Sequence, residues 1–212
     1  MIIFLSHKGV MMFNVEFNTD QYIRETFFPD YSYKGTMIEV GAGPPEFISM
    51  SKHFRDTGWR CICVEPNPKF IAQHKQLGNE IYQYAASFEE KETTFHIVNA
   101  GWTEETTGIS YSGLEMKYGW KPTEEVPFVD IDVKTIKLNT LLEQLSVDKV
   151  DFVSIDVEGY ELEVMWGFDT AKYQPKVILL ENYLAQDSYS NYMKSIGYNL
   201  VYKLEYNYIY AK

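Results

Sequence analysis

The sequence predicts an α/β fold, a parallel sheet covered by helices, on three observations. Short apolar runs alternate with helical patterns of about ten residues, the rhythm of βαβ units. The first run, Met37-Ile38-Glu39-Val40, breaks at once into Gly41-Ala42-Gly43-Pro44-Pro45, and a helical pattern follows. Four of the runs end in acidic or amide groups: Glu39, Glu65, Asp156 with Glu158, and Glu181 with Asn182. In an open parallel sheet, ligands bind beyond the carboxyl ends of the strands, so these separated residues are expected to converge.

In chain order, Asn18-Thr19-Asp20 caps a helix running to about Phe28, with Tyr22, Ile23, Phe27 and Phe28 on its apolar side and Pro29 closing it. The first strand is Met37–Val40, followed by a helix from about Glu46 to Asp56 that ends before Gly58. Trp59–Val64 is a second strand ending in Glu65, and Lys69–Leu77 a helix. Ile81–Ala86 is a third strand. Thr93–Val98 is a more exposed strand. Residues 99–127 have no clear period; the stretch is glycine-rich and carries Trp102, Tyr111, Tyr118 and Trp120. A loop of that length reads as a lid or binding loop, with a surface insertion as the alternative. Phe128–Ile136 alternates as a strand, and Leu138–Leu145 is a short helix. A strand from Asp151 then breaks into the acidic turn Asp156-Val157-Glu158-Gly159-Tyr160-Glu161, and a helix runs on to Phe168. Lys176–Asn182 is a strand, Ser188–Ile196 the last helix, and Tyr198–Lys203 with Tyr206–Ala211 a terminal hairpin.

Composition narrows the function classes. The chain has 212 residues, 45% of them hydrophobic, enough for one domain with a substantial core. A formal net charge of −11 repels phosphate backbones, so nucleic acid is a disfavoured partner. The two cysteines, Cys61 and Cys63, fall on one face of a strand and read as core thiols of a reducing compartment. The apolar start Met1–Leu5 is too short to span a bilayer and no other segment is a candidate, so a cytoplasmic protein without a membrane partner is expected. Met11-Met12 leaves open that the first ten residues are dispensable.

At the site itself, Gly41 and Gly43 would let the backbone approach a ligand closely. Glu65, at the end of the second strand and 22 residues past Gly43, can accept both hydroxyls of a ribose, or alternatively cap the following helix. Glu39 beside the glycine turn would repel a pyrophosphate but suits a cationic ligand. Asp156 and Glu158 are the candidate general bases. Glu161 and Glu163 read as first-turn helix acids on a solvated face. His7, His53, His74 and His96 fall outside the strand ends and read as surface or packing residues.

Glu39-Val40-Gly41-Ala42-Gly43 resembles motif I of the class I S-adenosylmethionine-dependent methyltransferases. Val64-Glu65-Pro66-Asn67-Pro68, Ala85-Ala86 and Ser154–Glu161 resemble the successive motifs of the FkbM family, over about Thr19 to Tyr210. Pro44-Pro45 departs from that pattern, since relatives usually place a further glycine or small residue there. The resemblance implies a Rossmann-like three-layer sandwich, its mostly parallel seven-stranded sheet carrying an antiparallel C-terminal hairpin strand. It implies one methyltransferase domain over residues 1–212, with 1–35 an N-terminal extension and helix and 99–127 a substrate loop. It further implies S-adenosyl-L-methionine as cofactor and methyl transfer to an oxygen, often a hydroxyl of a sugar or sugar-bearing metabolite. Carried over, Glu39, Gly41, Ala42 and Gly43 hold the methionine end, Glu65 the ribose with Pro66 and Asn67 fixing its loop, and Ala85, Ala86 and Ser87 the adenine. Asp156 sits beside the methyl-transfer centre. Trp102, Tyr111, Tyr118 and Trp120 offer stacking surfaces to a small-molecule or glycan acceptor.

Asp156, Glu181 and Asn182 also resemble the metal set of magnesium-dependent catechol-type O-methyltransferases, which admits Mg2+ as a second cofactor; the counter-reading has Glu181 and Asn182 shaping the acceptor pocket or capping the next segment. Other acceptors (lipid-linked sugar, nucleic acid, protein side chain), a nicotinamide-dependent oxidoreductase and a binding module with a degenerate cofactor site are the competing readings. The oligomeric state is open.

Overall fold

The computed structural model describes residues 13, 15–98, 112–114 and 128–212. Trp102, Tyr111, Tyr118, Trp120 and His7, and the question of the first ten residues, lie outside the described part. A 3-10 turn at Glu16–Asn18 leads into helix α1 (Thr19–Phe27). There follow β1 (Thr36–Val40), α2 (Met50–Asp56), β2 (Arg60–Val64), α3 (Pro68–Gln76), and the short strands β3 (Ile81–Tyr82) and β4 (Ala85–Ala86). Then come β5 (Glu92–Val98), β6 (Phe128–Ile136), α4 (Leu138–Gln144), β7 (Phe152–Ile155), α5 (Glu161–Trp166), α6 (Thr170–Tyr173), β8 (Val177–Glu181), α7 (Asp187–Ser195), β9 (Asn199–Leu204) and β10 (Asn207–Ala211).

Seven strands form the main sheet in the order β3-β2-β1-β7-β8-β10-β9. All pairings are parallel except those of β10, which runs antiparallel to both β8 and β9. The Rossmann-like sheet with an antiparallel strand in its C-terminal hairpin is therefore present. The chain winds outward from β1 to β3 on one side and returns through β7 on the other, so the strand order reverses between β1 and β7. That switch point is where an open α/β sheet parts to admit a ligand.

The two-residue period of a strand sorts its side chains into two cores. Ile38, Val40, Ile62, Val64, Val153, Ile155, Ile178 and Leu180 face α4, α5 and α7 through Leu138, Leu141, Leu142, Val164, Met165 and Met193. Met37, Cys61, Phe152, Val177, Leu179 and Ile209 face α1 and α2 through Ile23, Met50 and Phe54. Both cysteines are free and buried on that second face. Among the described residues no helix is long and apolar enough to cross a membrane.

Three elements differ from the sequence expectation. The helix expected from Glu46 begins only at Met50, with Ile48 left-handed at φ 51°. Pro44, held extended by the proline after it, postpones the helical turn. Arg55 Nη2 donates to the Pro45 carbonyl at 2.6 Å and fixes the detour. The expected third strand splits at Gln83-Tyr84, and its Ala85-Ala86 end joins β6 and β5 in a separate three-stranded sheet. The short helix α6 was not foreseen; Asp169 caps it by accepting from the Ala171 and Lys172 N–H groups, both at 3.0 Å.

One buried carboxylate locks the base of the sheet. Asp151 accepts from the Tyr33 hydroxyl at 2.8 Å, Lys149 Nζ at 2.6 Å and the Thr36 N–H at 2.9 Å. Burial pushes its carboxyl up, but Lys149, the Thr36 N–H and Tyr33 outweigh that and hold it below its ordinary 3.8. A depressed pKa contributes stability that is present above the ordinary value and lost as pH falls through the depressed one. Asp151→Asn should therefore cost about 1–3 kcal/mol in urea unfolding at neutral pH. The gap to the parent protein should shrink once the pH drops below 3.8.

Candidate active site

The ends of β1 and β7 nearly touch. Gly41 has φ +76°, and a Cβ built there would stand 1.8 Å from the Asp156 carbonyl oxygen. Only a glycine lets the two strand ends lie this close. The Asp156 N–H in turn donates to the Val40 carbonyl at 3.0 Å, and the Gly41 N–H to the Val64 carbonyl at 3.0 Å. Gly41 thus serves the meeting of two strands, beyond the ligand approach anticipated for it.

Two cavities open on either side of this contact and share Val40, Gly41, Gly43, Asp156 and Glu158. The first, about 580 Å³ including its open mouth, is walled by Glu65, Pro66, Phe70, Tyr84, Ala85, Ala86 and Tyr160. Ser112, Gly113 and Leu114 close it, brought there because Gly113 exchanges backbone hydrogen bonds with His96 of β5 at 3.0 and 3.1 Å. The second, about 1180 Å³, is lined by Val15, Glu16, Glu39, Ala42, Phe47, Glu181, Tyr183 and Tyr206 among others. Of the candidate cofactor, base and metal residues within the described part, Asn67, Ser87 and Asn182 line neither cavity. Ser87 is buried directly after Ala86, and its Oγ has no hydrogen-bond partner among the described residues.

Glu65 sits 5% exposed at the end of β2. One carboxylate oxygen accepts from the Gly43 N–H at 2.9 Å and the other from the Asn67 N–H at 2.8 Å. Burial pushes its pKa up to about 7 against those two donors. Asn67, not Glu65, caps α3, accepting from the Lys69 N–H at 3.0 Å. His74 is a correction: it is buried on the inner face of α3, and its Nε2–H donates to the Gly43 carbonyl at 3.1 Å. Burial, aided by Arg55, lowers its pKa to about 4, so it is neutral, with Nδ1 accepting from Asn79 Nδ2 at 3.2 Å. The glycine turn is therefore held from behind by a histidine that is remote in sequence. His53 stacks on Phe13 and His96 pairs with Asp130, and neither lines a cavity.

Glu39 lies on the sheet face that meets α2. Its carboxylate accepts from the Met50 N–H at 2.6 Å and from the Ser49 and Ser51 hydroxyls. It caps the first turn of α2, with Arg55 nearby, and burial raises its pKa against these partners. Glu161 is also a correction. The residue is fully buried, not solvated. Its carboxylate turns back to accept from the Val157 and Gly159 N–H groups, both at 3.0 Å, and from the Tyr189 hydroxyl, so it braces the acidic turn.

Asp156 opens onto both cavities at the centre of the site. A carboxylate oxygen from each of Asp156, Glu161 and Glu181 lies within 4.8 Å of the others. Asp156 and Glu181 hydrogen-bond to each other, and the burial of Glu181 with mutual repulsion among the carboxylates raises both pKa values. Two such carboxylates share a proton, because both cannot ionise at contact distance. The suggested Mg2+ set does not assemble. Asn182 donates to the Gln186 carbonyl at 3.0 Å and accepts from its N–H at 2.9 Å, as the counter-reading had it. Glu161, the third acid present, already satisfies both its oxygens within the protein.

Residues 39–210 match the family model described as the methyltransferase FkbM domain. No curated protein matches the chain.

Because the Gly41 Cβ position is occupied by backbone, Gly41→Ala must separate β1 from β7. It should cost about 3 kcal/mol or more in thermal or urea unfolding, the sum of overpacking and a left-handed alanine. A variant as stable as the parent would show that the strand ends move apart freely.

Proposed function

Because the chain belongs to the FkbM methyltransferase family, we propose that it transfers the methyl group of S-adenosyl-L-methionine to a hydroxyl oxygen of a sugar or other small hydroxylated metabolite. The observation carrying this reading is the pair of cavities that meet at Gly41, Gly43, Asp156 and Glu158. One cavity receives the donor and the other the acceptor, with the reacting atoms at the shared rim.

The first cavity suits an adenosine. Ala85 and Ala86 leave a flat gap for the base, Phe70 and Tyr84 give it apolar walls, and Glu65 offers the remaining lone pairs of both oxygens to the ribose hydroxyls. Positively charged donor groups near the rim face an acidic neighbourhood that would repel the phosphates of a dinucleotide, which disfavours the oxidoreductase reading. Bound there, the cofactor would supply a sulfonium methyl for transfer to the acceptor oxygen. Asp156 takes the hydroxyl proton, with Glu158 the alternative base on the same rim. Glu181 sets how readily Asp156 does so, since a proton accepted by one carboxylate is shared with the other. The main task of the remaining residues is alignment. Lipid-linked, nucleic-acid and protein acceptors are the alternatives, and the chain's acidity disfavours nucleic acid.

Calorimetry with S-adenosylmethionine, S-adenosylhomocysteine and NAD should show binding of the two sulfur ligands and not of NAD; the reverse pattern rejects the proposal. Glu65→Ala should weaken both sulfur ligands by about 1–3 kcal/mol. Since the ribose needs the ionised carboxylate and burial holds Glu65 near 7, affinity should fall as pH drops below about 7 and level off above it. Asp156→Asn should lower kcat by about 10²–10⁴-fold in a tritiated-methyl transfer assay while cofactor binding persists.

A further inference from the structure

The wider cavity has a one-sided chemistry. Five acidic residues line it, Glu16, Glu39, Asp156, Glu158 and Glu181, and no Lys, Arg or His does among the described residues. The whole chain carries 19 Lys and Arg against 30 Asp and Glu, so a mixed lining would be the ordinary outcome. The cavity also presents aromatic surface. Phe47 is 44% exposed and Tyr183 52%, and the Tyr183 ring lies 6.0 Å from Tyr206. Glu16 accepts the Tyr206 hydroxyl and so holds that ring in place.

The donor accounts for only part of this acidity. Its sulfonium and ammonium, offset by its carboxylate, leave one net positive charge. Glu39 is engaged with the start of α2, and Asp156 and Glu181 act together as one proton-sharing pair. Glu16 and Glu158 add two further carboxylates to the same lining. Carboxylates and aromatic faces attract cations, most strongly where walls keep bulk water away, and the same lining repels carboxylates and phosphates.

We propose that the acceptor carries a cationic group beside the hydroxyl that is methylated, an ammonium on a hydroxylated ring such as an amino sugar, and that Glu16, Glu158, Phe47 and Tyr183 bind it. This rests on the methyl transfer proposed above and narrows its substrate. The ammonium anchors the ring and keeps its charge throughout. The methyl passes from sulfur to the neighbouring oxygen, and the hydroxyl proton goes to Asp156.

The test uses the full chain saturated with S-adenosylhomocysteine, at a pH where a sugar amine is protonated. Glucosamine, N-acetylglucosamine and glucuronate are titrated separately and followed by NMR. Glucosamine should bind roughly tenfold tighter than the neutral sugar, and glucuronate more weakly still. Glu16→Gln and Tyr183→Ala should each weaken glucosamine roughly three- to tenfold and leave S-adenosylhomocysteine affinity unchanged. Phe47→Leu, conservative in size, should do the same if either of those variants fails to fold. Equal binding of the three sugars, a preference for the neutral or acidic one, or no binding of glucosamine overturns the cationic acceptor. Failure of the parent protein to bind S-adenosylhomocysteine overturns the methyltransferase reading instead.

Discussion

The contact between Gly41 and the Asp156 carbonyl governs the rest of the site. A parallel sheet normally separates its strand ends with side chains, and here one side chain is missing where the strand order reverses. The glycine turn therefore lies against the acidic turn rather than across a gap from it. The crevice expected at a switch point is divided into two compartments with a common rim. Backbone hydrogen bonds from Gly41 and Ala42 to Val64, and from Asp156 to Val40, stop the divider from moving. A group-transfer enzyme needs such a divider, since donor and acceptor must meet at one point while occupying different volumes.

The acids around that divider have separate tasks, set by what surrounds each. Glu39 and Glu161 are saturated by N–H and hydroxyl donors and hold a helix start and a turn. Glu65 accepts two N–H groups but keeps lone pairs directed at the first cavity. Asp156 and Glu181 face each other, and repulsion between the crowded carboxylates raises both above the ordinary carboxylate range. Spacing in the sequence places all five at strand ends or the turn after them; only the donors nearby tell a brace from a base.

That distinction also marks how far the sequence could be read. Most strands, the switch-point site and its glycine turn were legible because apolar runs, glycines and terminal acids are local signals. The delayed start of α2 was less so, although Pro44-Pro45 hinted at it. Glu161 read as solvated because a first-turn helix acid usually is, and nothing local announces that Tyr189 lies above it. His74 at the back of Gly43, Ser112–Leu114 closing the first cavity and the transfer of Ala85-Ala86 to a second sheet depend on contacts between distant segments. Such contacts leave no periodic trace. Asn182 was open in the sequence between a metal ligand and a cap for a related reason: its partner is the backbone of Gln186, and a polar side chain at a strand end can serve either role.

The divided crevice also separates two kinds of inheritance. Val15, Glu16, Phe47, Ile48, Tyr183 and Tyr206 wall only the wider compartment, and all of them sit in turns or connections outside the strands and α-helices. The rim shared with the narrower compartment is built instead from strand ends and the residues closely following them. Drift in the first group can redirect the protein to new molecules without disturbing the second. A lineage carrying this scaffold can thus diversify what it binds by changing loops, while the rim formed by the strand ends stays fixed.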